Sequence, residues 1–175
     1  FPLVYSTVLS ALYMPIILMV ISLIFRGVAF EFRFKAHRGR HWWDIAFIGG
    51  SLLTSFLQGV ILGAYIQGIK TTNGIYSGGG LDWLTPFSLF TGVGVVILYA
   101  TLGCGWLIFK TDHELQDKMF QLMPKLIIVL LLVFGAVSLY TPLAHQQIAE
   151  RWFSQPQIFY FSPVPILVVL FTFMA

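Results

Sequence analysis

Four long runs of apolar residues, joined by short polar segments, constrain the fold of this 175-residue chain more than any other feature. The runs cover about residues 3–25, 44–69, 86–109 and 119–140, and a fifth begins near residue 158. A helix needs about 20 predominantly apolar residues to cross a bilayer, because each residue adds about 1.5 Å along its axis. The sequence therefore predicts an all-α integral membrane protein with four full transmembrane spans and one partial span. The short connections predict an antiparallel transmembrane helix bundle.

The composition excludes several other classes of protein. Hydrophobic residues make up 58% of the chain and charged residues 10%, whereas a soluble domain carries about a quarter charged residues. The formal net charge of +3 is too small to indicate a nucleic-acid partner. Because Cys104 is the one cysteine, an internal disulfide is impossible and no paired Cys/His spacing offers a zinc site. Membrane lipid is therefore the first partner that the sequence predicts.

The distribution of basic residues predicts an orientation in the membrane. The first and third loops contain seven basic residues, whereas the second and fourth loops contain one each, Lys70 and Arg151. By the positive-inside rule, the loops at 26–44 and 110–118 face the cytoplasm. The seven basic residues are Arg26, Arg33, Lys35, Arg38, Arg40, Lys110 and Lys118.

The second apolar run carries a polar face with the spacing of a helix, i, i+3, i+4 and i+7. In hydrocarbon such groups must face protein or a cavity, so helix packing is one interpretation and a quinone or water path is the other. Gly59 and Gly63 lie nearby as a small-xxx-small pair, which favours helix packing. The polar face consists of Ser51, Thr54, Ser55 and Gln58.

The first loop combines charges of both signs with aromatic residues at a predicted membrane boundary. Arg26 and Asp44 lie where two consecutive spans meet the interface, which makes them candidates for an ion pair. A surface pair contributes only about 0–1 kcal/mol, whereas a desolvated pair is costly to break. The simpler interpretation is an anchor loop whose aromatic residues lie at the interface.

The spans lack the side chains that redox or hydrolytic chemistry requires. His37, His41, His113 and His145 all lie in predicted loops, and no Asp or Glu lies inside an apolar run. A haem within the membrane needs a His, Met or Cys ligand at depth, and carboxylates within spans mark proton relays. Met14 and Met19 lie deep enough in the first span, but a lone Met in an apolar helix more often fills space in the packing, and Cys104 is interpreted as a small buried hydrophobe. The sequence therefore predicts no catalytic residue, no metal site and no haem ligation by this chain.

Several motifs in order along the chain carry a family resemblance. F-R-x-V-x-F-[DE]-[FY]-R covers 25–33, W-D follows at 43–44, and F-x-Q-G-x-x-L-G covers 56–63. L-T-P-F at 84–87 and H-E-L at 113–115 follow. Together they resemble subunit II of the cytochrome bd-type quinol oxidases. The letters FEFRFKA at 30–36 are most similar to the cyanide-insensitive branch of that family.

The resemblance implies a role in an oxidase that couples quinol oxidation to the reduction of oxygen to water. In this family, subunit I holds haems b and d and the quinol site, and subunit II is its helical partner. The implied location is the bacterial inner membrane, and the implied partners are subunit I, lipid and a candidate bound quinone. Arg26 and Asp44 match charged positions implicated in keeping the oxidase assembled, and Trp43 and Glu31 are further candidates.

The resemblance also implies that residues 1–175 form a single transmembrane helical region of a longer subunit. Its first two helices and its C-terminal helices would lie outside this sequence. We therefore expect that the segment does not fold stably without those helices and subunit I.

Two other classes of function compete with the oxidase subunit. The main alternative is a small multi-pass transporter or channel, in which the polar face of the second span lines a path. Transporters typically have broken helices or ionisable groups at the midplane, and the sequence indicates neither. A scaffold protein without any cofactor is the third class.

Overall fold

Four long helices dominate a computed structural model that describes residues 2–36, 38–72, 74–144 and 149–150. They are α1 (Pro2–Lys35), α2 (Arg40–Gln67), α3 (Pro86–Lys110) and α4 (Glu114–Ala144). Each helix is long and apolar enough to cross a membrane. The predicted all-α membrane fold with four full spans is therefore confirmed, and the predicted fifth span lies outside the described residues.

Helix α1 is longer than the sequence predicted. It continues ten residues past Phe25 to Lys35, which adds about 15 Å of helix beyond the apolar run. The connection to α2 shrinks to residues 36–39 and turns at Gly39, whose φ of 81° is a left-handed conformation that suits glycine. His41, which was also predicted to lie in the loop, lies in the first turn of α2. The prediction of a long loop was wrong because charged and aromatic residues, with no proline among them, continue the helix.

Helices α1 and α2 pack closely against each other. A Cβ atom added to Gly50 would lie 2.8 Å from the carbonyl oxygen of Ser22 and 3.2 Å from the backbone nitrogen of Arg26. Glycine is therefore required at this point of contact, because it lets the two backbones approach. Further along the pair, a buried cluster continues to the loop before α3 and consists of Ala11, Leu12, Val60, Ala64 and Trp83.

Two glycines of α2 make the contact with α3. A Cβ atom at Gly59 would lie 2.5 Å from the carbonyl oxygen of Thr91, and one at Gly63 would lie 2.7 Å from the Cα atom of Ser88. The small-xxx-small interpretation of Gly59 and Gly63 is therefore confirmed as helix packing.

The segment between α2 and α3 begins with a short hairpin. Strands β1 (Thr71–Thr72) and β2 (Ile75–Tyr76) pair in antiparallel register, Thr71 with Tyr76 and Thr72 with Ile75. Helix α3 then starts with a reciprocal cap. The backbone nitrogen of Ser88 donates to Oγ1 of Thr85 (3.1 Å), and that of Thr85 donates to Oγ of Ser88 (3.0 Å).

The chain divides into two compact units, and the boundary follows Ala100 within α3. In the second unit, the end of α3 and the start of α4 are joined by a turn in which His113 has a φ of 62°. Nε2 of Gln116 donates to the carbonyl oxygen of Ile108 (2.9 Å) and closes this turn. Glu114 and Asp117 lie in the first turn of α4, where negative charge is favourable to the helix dipole.

Candidate functional site

The turn between α1 and α2 brings together most of the charged candidates from the sequence. Nε of Arg33 donates to Oδ1 of Asp44 in an ion pair that joins the end of α1 to the start of α2. The Arg33 side chain is 48% exposed and that of Asp44 is 40% exposed. Water therefore screens the pair, and its contribution to stability falls within about 0–1 kcal/mol.

The predicted pair between Arg26 and Asp44 is wrong. The two helices run in opposite directions from a tight turn, so residues equally distant from it face each other. Arg33 is the arginine opposite Asp44, whereas Arg26 lies seven residues, about two helical turns, further down α1. The guanidinium of Arg26 instead lies 5.7 Å from the ring centroid of Phe47 in a cation–π contact.

Aromatic rings hold the same turn together. The rings of Phe32 and Trp43 stack with centroids 5.3 Å apart and an interplanar angle of 29°. The ring of Phe30 lies 5.6 Å from that of Phe34 and 6.4 Å from that of Phe47. Trp43 therefore has a packing role beside the Arg33–Asp44 pair.

Glu31 pairs within its own helix. Its Oε1 accepts a hydrogen bond from Nζ of Lys35 at 2.7 Å, an i,i+4 pair on the surface of α1. Both side chains are more than 60% exposed, so this pair contributes little to stability. Glu31 lies near the turn. Among the described residues, its ion pair and hydrogen bond are with Lys35 of the same helix and not with a residue of α2.

The predicted polar face of α2 has a mixed outcome in the structure. Oε1 of Gln58 accepts a hydrogen bond from the Tyr99 hydroxyl of α3 (3.0 Å), and Oγ of Ser55 donates to the carbonyl oxygen of Ser51 (3.0 Å). The hydroxyl oxygens of Ser51 and Thr54 are buried without a hydrogen-bond partner. The face is therefore partly used in packing α2 against α3.

A cavity of about 480 Å³ lies at the opposite end of α1 and α2 from this turn, beside the 68–85 segment. Its lining includes the buried Trp83 indole, whose Nε1 donates to the carbonyl oxygen of Gly80 (2.9 Å). Lys70 and Asp82 also line it, as does Gln67, which accepts a hydrogen bond from the Thr85 hydroxyl. The four residues of the polar face line neither this cavity nor a second one of about 400 Å³ beside Tyr65 and Thr71.

Tyr76 is one of the residues that line this cavity, and the pKa of its hydroxyl is raised. Burial raises the pKa of the Tyr76 hydroxyl above its usual value of 10.0, and the nearby Asp82 carboxylate adds to the rise by charge and by hydrogen bonding. The hydroxyl also donates to the carbonyl oxygen of Gly79 at 2.6 Å. Sequence reasoning missed this group, although Gly78, Gly79 and Gly80 mark a tight segment where the backbone approaches side chains.

The side chains that could bind metal do not gather in the part of the chain that the structure describes. No group of three or more His, Cys, Asp or Glu residues lies within reach of one ion there. The buried Cys104 thiol donates to the carbonyl oxygen of Met119 (3.4 Å) and lies 3.9 Å from its sulfur atom. His37 and His145 lie outside the described residues.

Comparison with known families decides what kind of membrane protein this is. A family model described as cytochrome bd terminal oxidase subunit II matches residues 1–175. The chain belongs to this family. The resemblance carried by the 25–33, 43–44 and 56–63 motifs is therefore confirmed.

Individual members of the subunit II family show the same relationship. Cytochrome bd ubiquinol oxidase subunit 2 of Bacillus subtilis (strain 168) is 33% identical over 148 residues, which cover 80% of this chain and 43% of the relative. Cytochrome bd-I ubiquinol oxidase subunit 2 of Escherichia coli (strain K12) is 34% identical over 122 residues, covering 66% and 32%. A probable cytochrome oxidase subunit 2 of Haemophilus influenzae (strain Rd) is 31% identical over 124 residues, covering 67% and 33%.

The matched region is part of a longer subunit in these relatives. The chain spans 33%, 43% and 32% of the length of the Haemophilus, Bacillus and Escherichia proteins, respectively. With bacterial relatives and four membrane-spanning helices, this subunit II chain is a multi-pass protein of the plasma membrane.

Proposed function

We propose that the chain is part of subunit II of a bd-type terminal oxidase and supports the haem-bearing subunit I without ligating haem itself. The complex would oxidise two quinols to quinones and reduce one oxygen molecule to two waters. The observation that carries this proposal is the family match over residues 1–175. The names of the Bacillus and Escherichia relatives, which are subunits of ubiquinol oxidases, support the quinol substrate.

The surfaces of the helices support a role beside a partner subunit. In α4, the buried residues among those described are Val133 and Thr141, and most of its apolar side chains are exposed or half-buried. Leu132 and Leu139 are 68% and 69% exposed there. Lipid covers such surfaces as readily as protein does, so the exposed surface alone does not identify a partner. We infer the partner subunit from the family, and the exposed face of α4 is a surface that it could contact.

The histidines and the cysteine of the described residues do not fit a haem. His41 lies in the first turn of α2 and His113 in the turn before α4, so neither lies at depth in a span. The Cys104 thiol is already in contact with Met119. Haem needs an axial ligand held at the iron, and we therefore assign haems b and d to subunit I. We also propose that a quinone and membrane lipid bind to this chain.

We further propose that residues 26–44 and 110–118 face the cytoplasm. The support is the excess of basic residues in these segments. Replacing Cys104 and introducing Arg38→Cys or Ser77→Cys in the full subunit gives a direct test with a membrane-impermeant maleimide. Intact spheroplasts should label the cysteine at 77 and leave that at 38 unlabelled, and the reverse pattern would contradict the orientation.

Arg26, Asp44, Trp43 and Glu31 are proposed as positions that hold the α1–α2 turn in the shape that assembly requires. The ion pair of Asp44, the stacking of Trp43 and the cation–π contact of Arg26 support this role. Replacing Arg26 or Asp44 with alanine should lower the amount of haem-containing complex more than it changes the KM for quinol. Normal haem spectra together with normal activity in Arg26→Ala would contradict the role of Arg26.

The function itself is tested with an affinity tag on the full-length subunit. The tagged protein, extracted from native membranes in mild detergent, should bring a second large membrane subunit with it and consume oxygen when quinol is supplied. Isolation as a lone protein without quinol-dependent oxygen uptake would favour the transporter alternative. The structure gives that alternative no added support, because the two cavities described above are not lined by the polar face of α2.

A further inference from the structure

The formal net charge of the chain is concentrated in one short segment. Residues 26–44 contain five basic and two acidic residues and so carry +3, the value for the whole chain, because the other five basic and five acidic residues cancel. The segment contains Arg26, Glu31, Arg33, Lys35, Arg38, Arg40 and Asp44.

The geometry shows which of these cations are already neutralised. Asp44 pairs with Arg33, and Glu31 pairs with Lys35. Arg26, Arg38 and Arg40 have no carboxylate partner among the described residues. Nε of Arg40 donates to the carbonyl oxygen of Ala36 (3.0 Å), which leaves the terminal amino groups of its guanidinium for another acceptor.

Exposed aromatic side chains lie in the same segment of the chain as these three arginines. Phe30 is 62% exposed, Phe34 is 69% exposed and Trp42 is 73% exposed. Exposure of such rings to water is unfavourable, whereas aromatic side chains are enriched at the boundary between lipid head groups and acyl chains. Arginine beside aromatic residues just past an apolar span is a combination suited to that boundary.

We propose that this surface binds the phosphate groups of anionic phospholipids. We call it the basic turn, and it consists of Arg26, Phe30, Phe34, Arg38, Arg40 and Trp42. Guanidinium groups donate two parallel hydrogen bonds to a phosphate, and the aromatic rings lie against the glycerol and upper acyl region. Charge complementarity selects the lipid, since the uncompensated charge is entirely positive.

The test uses the intact complex and a titration with phosphatidylglycerol or phosphatidylcholine, followed by native mass spectrometry. The wild type should bind phosphatidylglycerol more tightly than phosphatidylcholine. Arg38→Gln combined with Arg40→Gln should weaken phosphatidylglycerol binding by about 25-fold, because each arginine near an anionic surface contributes about fivefold. Binding of phosphatidylcholine should not change. Arg38→Lys with Arg40→Lys should keep most of the affinity, since the charge remains.

The matched control removes two lysine charges from the 110–118 segment, as Lys110→Gln with Lys118→Gln. It should change the affinity by less than about twofold, because Asp112, Glu114 and Asp117 already outnumber the lysines there and disfavour an anionic lipid. Equal affinity of the wild type for the two lipids would overturn the proposal, as would an equal loss in the control. A third contrary result is dissociation of the partner subunit from the Arg38/Arg40 glutamine variant while phosphatidylglycerol binding is unchanged, because the basic turn would then be a protein interface.

Discussion

At the scale of single residues, Gly59 sets the distance between α2 and α3. A Cβ atom there would meet the backbone oxygen of Thr91 at 2.5 Å, and a backbone atom cannot move aside as a side chain can. We predict that Gly59→Ala destabilises the subunit by about 1–3 kcal/mol through overpacking. This loss outweighs the gain of up to about 1 kcal/mol that alanine brings to a helix.

The matched control for this prediction lies in the same helix. An added Cβ atom at Gly49 would meet nothing within 4 Å, so Gly49→Ala should be neutral or slightly stabilising. Thermal unfolding of the purified complex measures both variants. A lower midpoint in Gly49→Ala than in Gly59→Ala would show that crowding at Thr91 is not the cause.

A second prediction at this scale concerns Tyr76. Since the pKa of its hydroxyl in the folded state lies above the usual value of 10.0, the folded chain binds more protons than the unfolded chain above that pH. Stability contributed by Tyr76 is therefore fully present below pH 10 and is lost as the pH rises through the folded pKa. Difference absorbance of tyrosinate, wild type minus Tyr76→Phe, should show a titration shifted to higher pH. An unshifted titration would contradict the burial of this hydroxyl beside Asp82.

At the scale of elements, the Arg33–Asp44 pair joins the end of α1 to the start of α2. Arg33→Asp places two like charges in contact across the turn, so we predict less assembled complex. Adding Asp44→Arg restores the opposite charges and should recover most of that loss. Quantification of haem-containing complex in membranes gives the comparison.

Lys35→Asp is the control for the charge swap. It creates a similar like-charge contact with Glu31, but within α1 alone, so it should affect assembly less than Arg33→Asp does. If the swapped pair assembled no better than the Arg33→Asp single variant, contact between like charges at the turn would not be the cause of the loss.

Sequence reasoning predicted the spans because about 20 apolar residues in a row leave few alternatives. It missed the extension of α1 to Lys35, because charges alternating with Phe30, Phe32 and Phe34 are also typical of an interface loop. The wrong partner for Asp44 followed from that error. With residues 26–35 taken as loop, Arg26 marked the end of the first helix, whereas the longer helix brings Arg33 to that place.

The candidate sites were predictable to different degrees, because spacing within one helix can be read from the sequence whereas contacts between distant residues cannot. The four-residue spacing of Gly59 and Gly63 predicts a helix-packing surface, and the structure confirms that both contact α3. The cavity beside Trp83 depends on the conformation of the 68–85 segment, which no periodicity describes. The hydrogen bond from Tyr99 to Gln58 joins residues 41 positions apart, so it required the packing of α2 against α3 to be known.

At the scale of the whole molecule, the central claim is that this subunit II chain supports redox centres held by another chain. The described helices offer many exposed apolar side chains and no cluster of metal ligands within the residues that the structure covers. We propose that these helix surfaces and the ordered turn are what the chain contributes to a complex.

The most direct test is a reduced-minus-oxidised spectrum of the complex purified through full-length subunit II, followed by separation of the two large subunits under mild conditions. We predict haem b and haem d bands in the complex and all haem in the fraction that contains subunit I. A complex without these bands, or haem that stays with subunit II after separation, would contradict it.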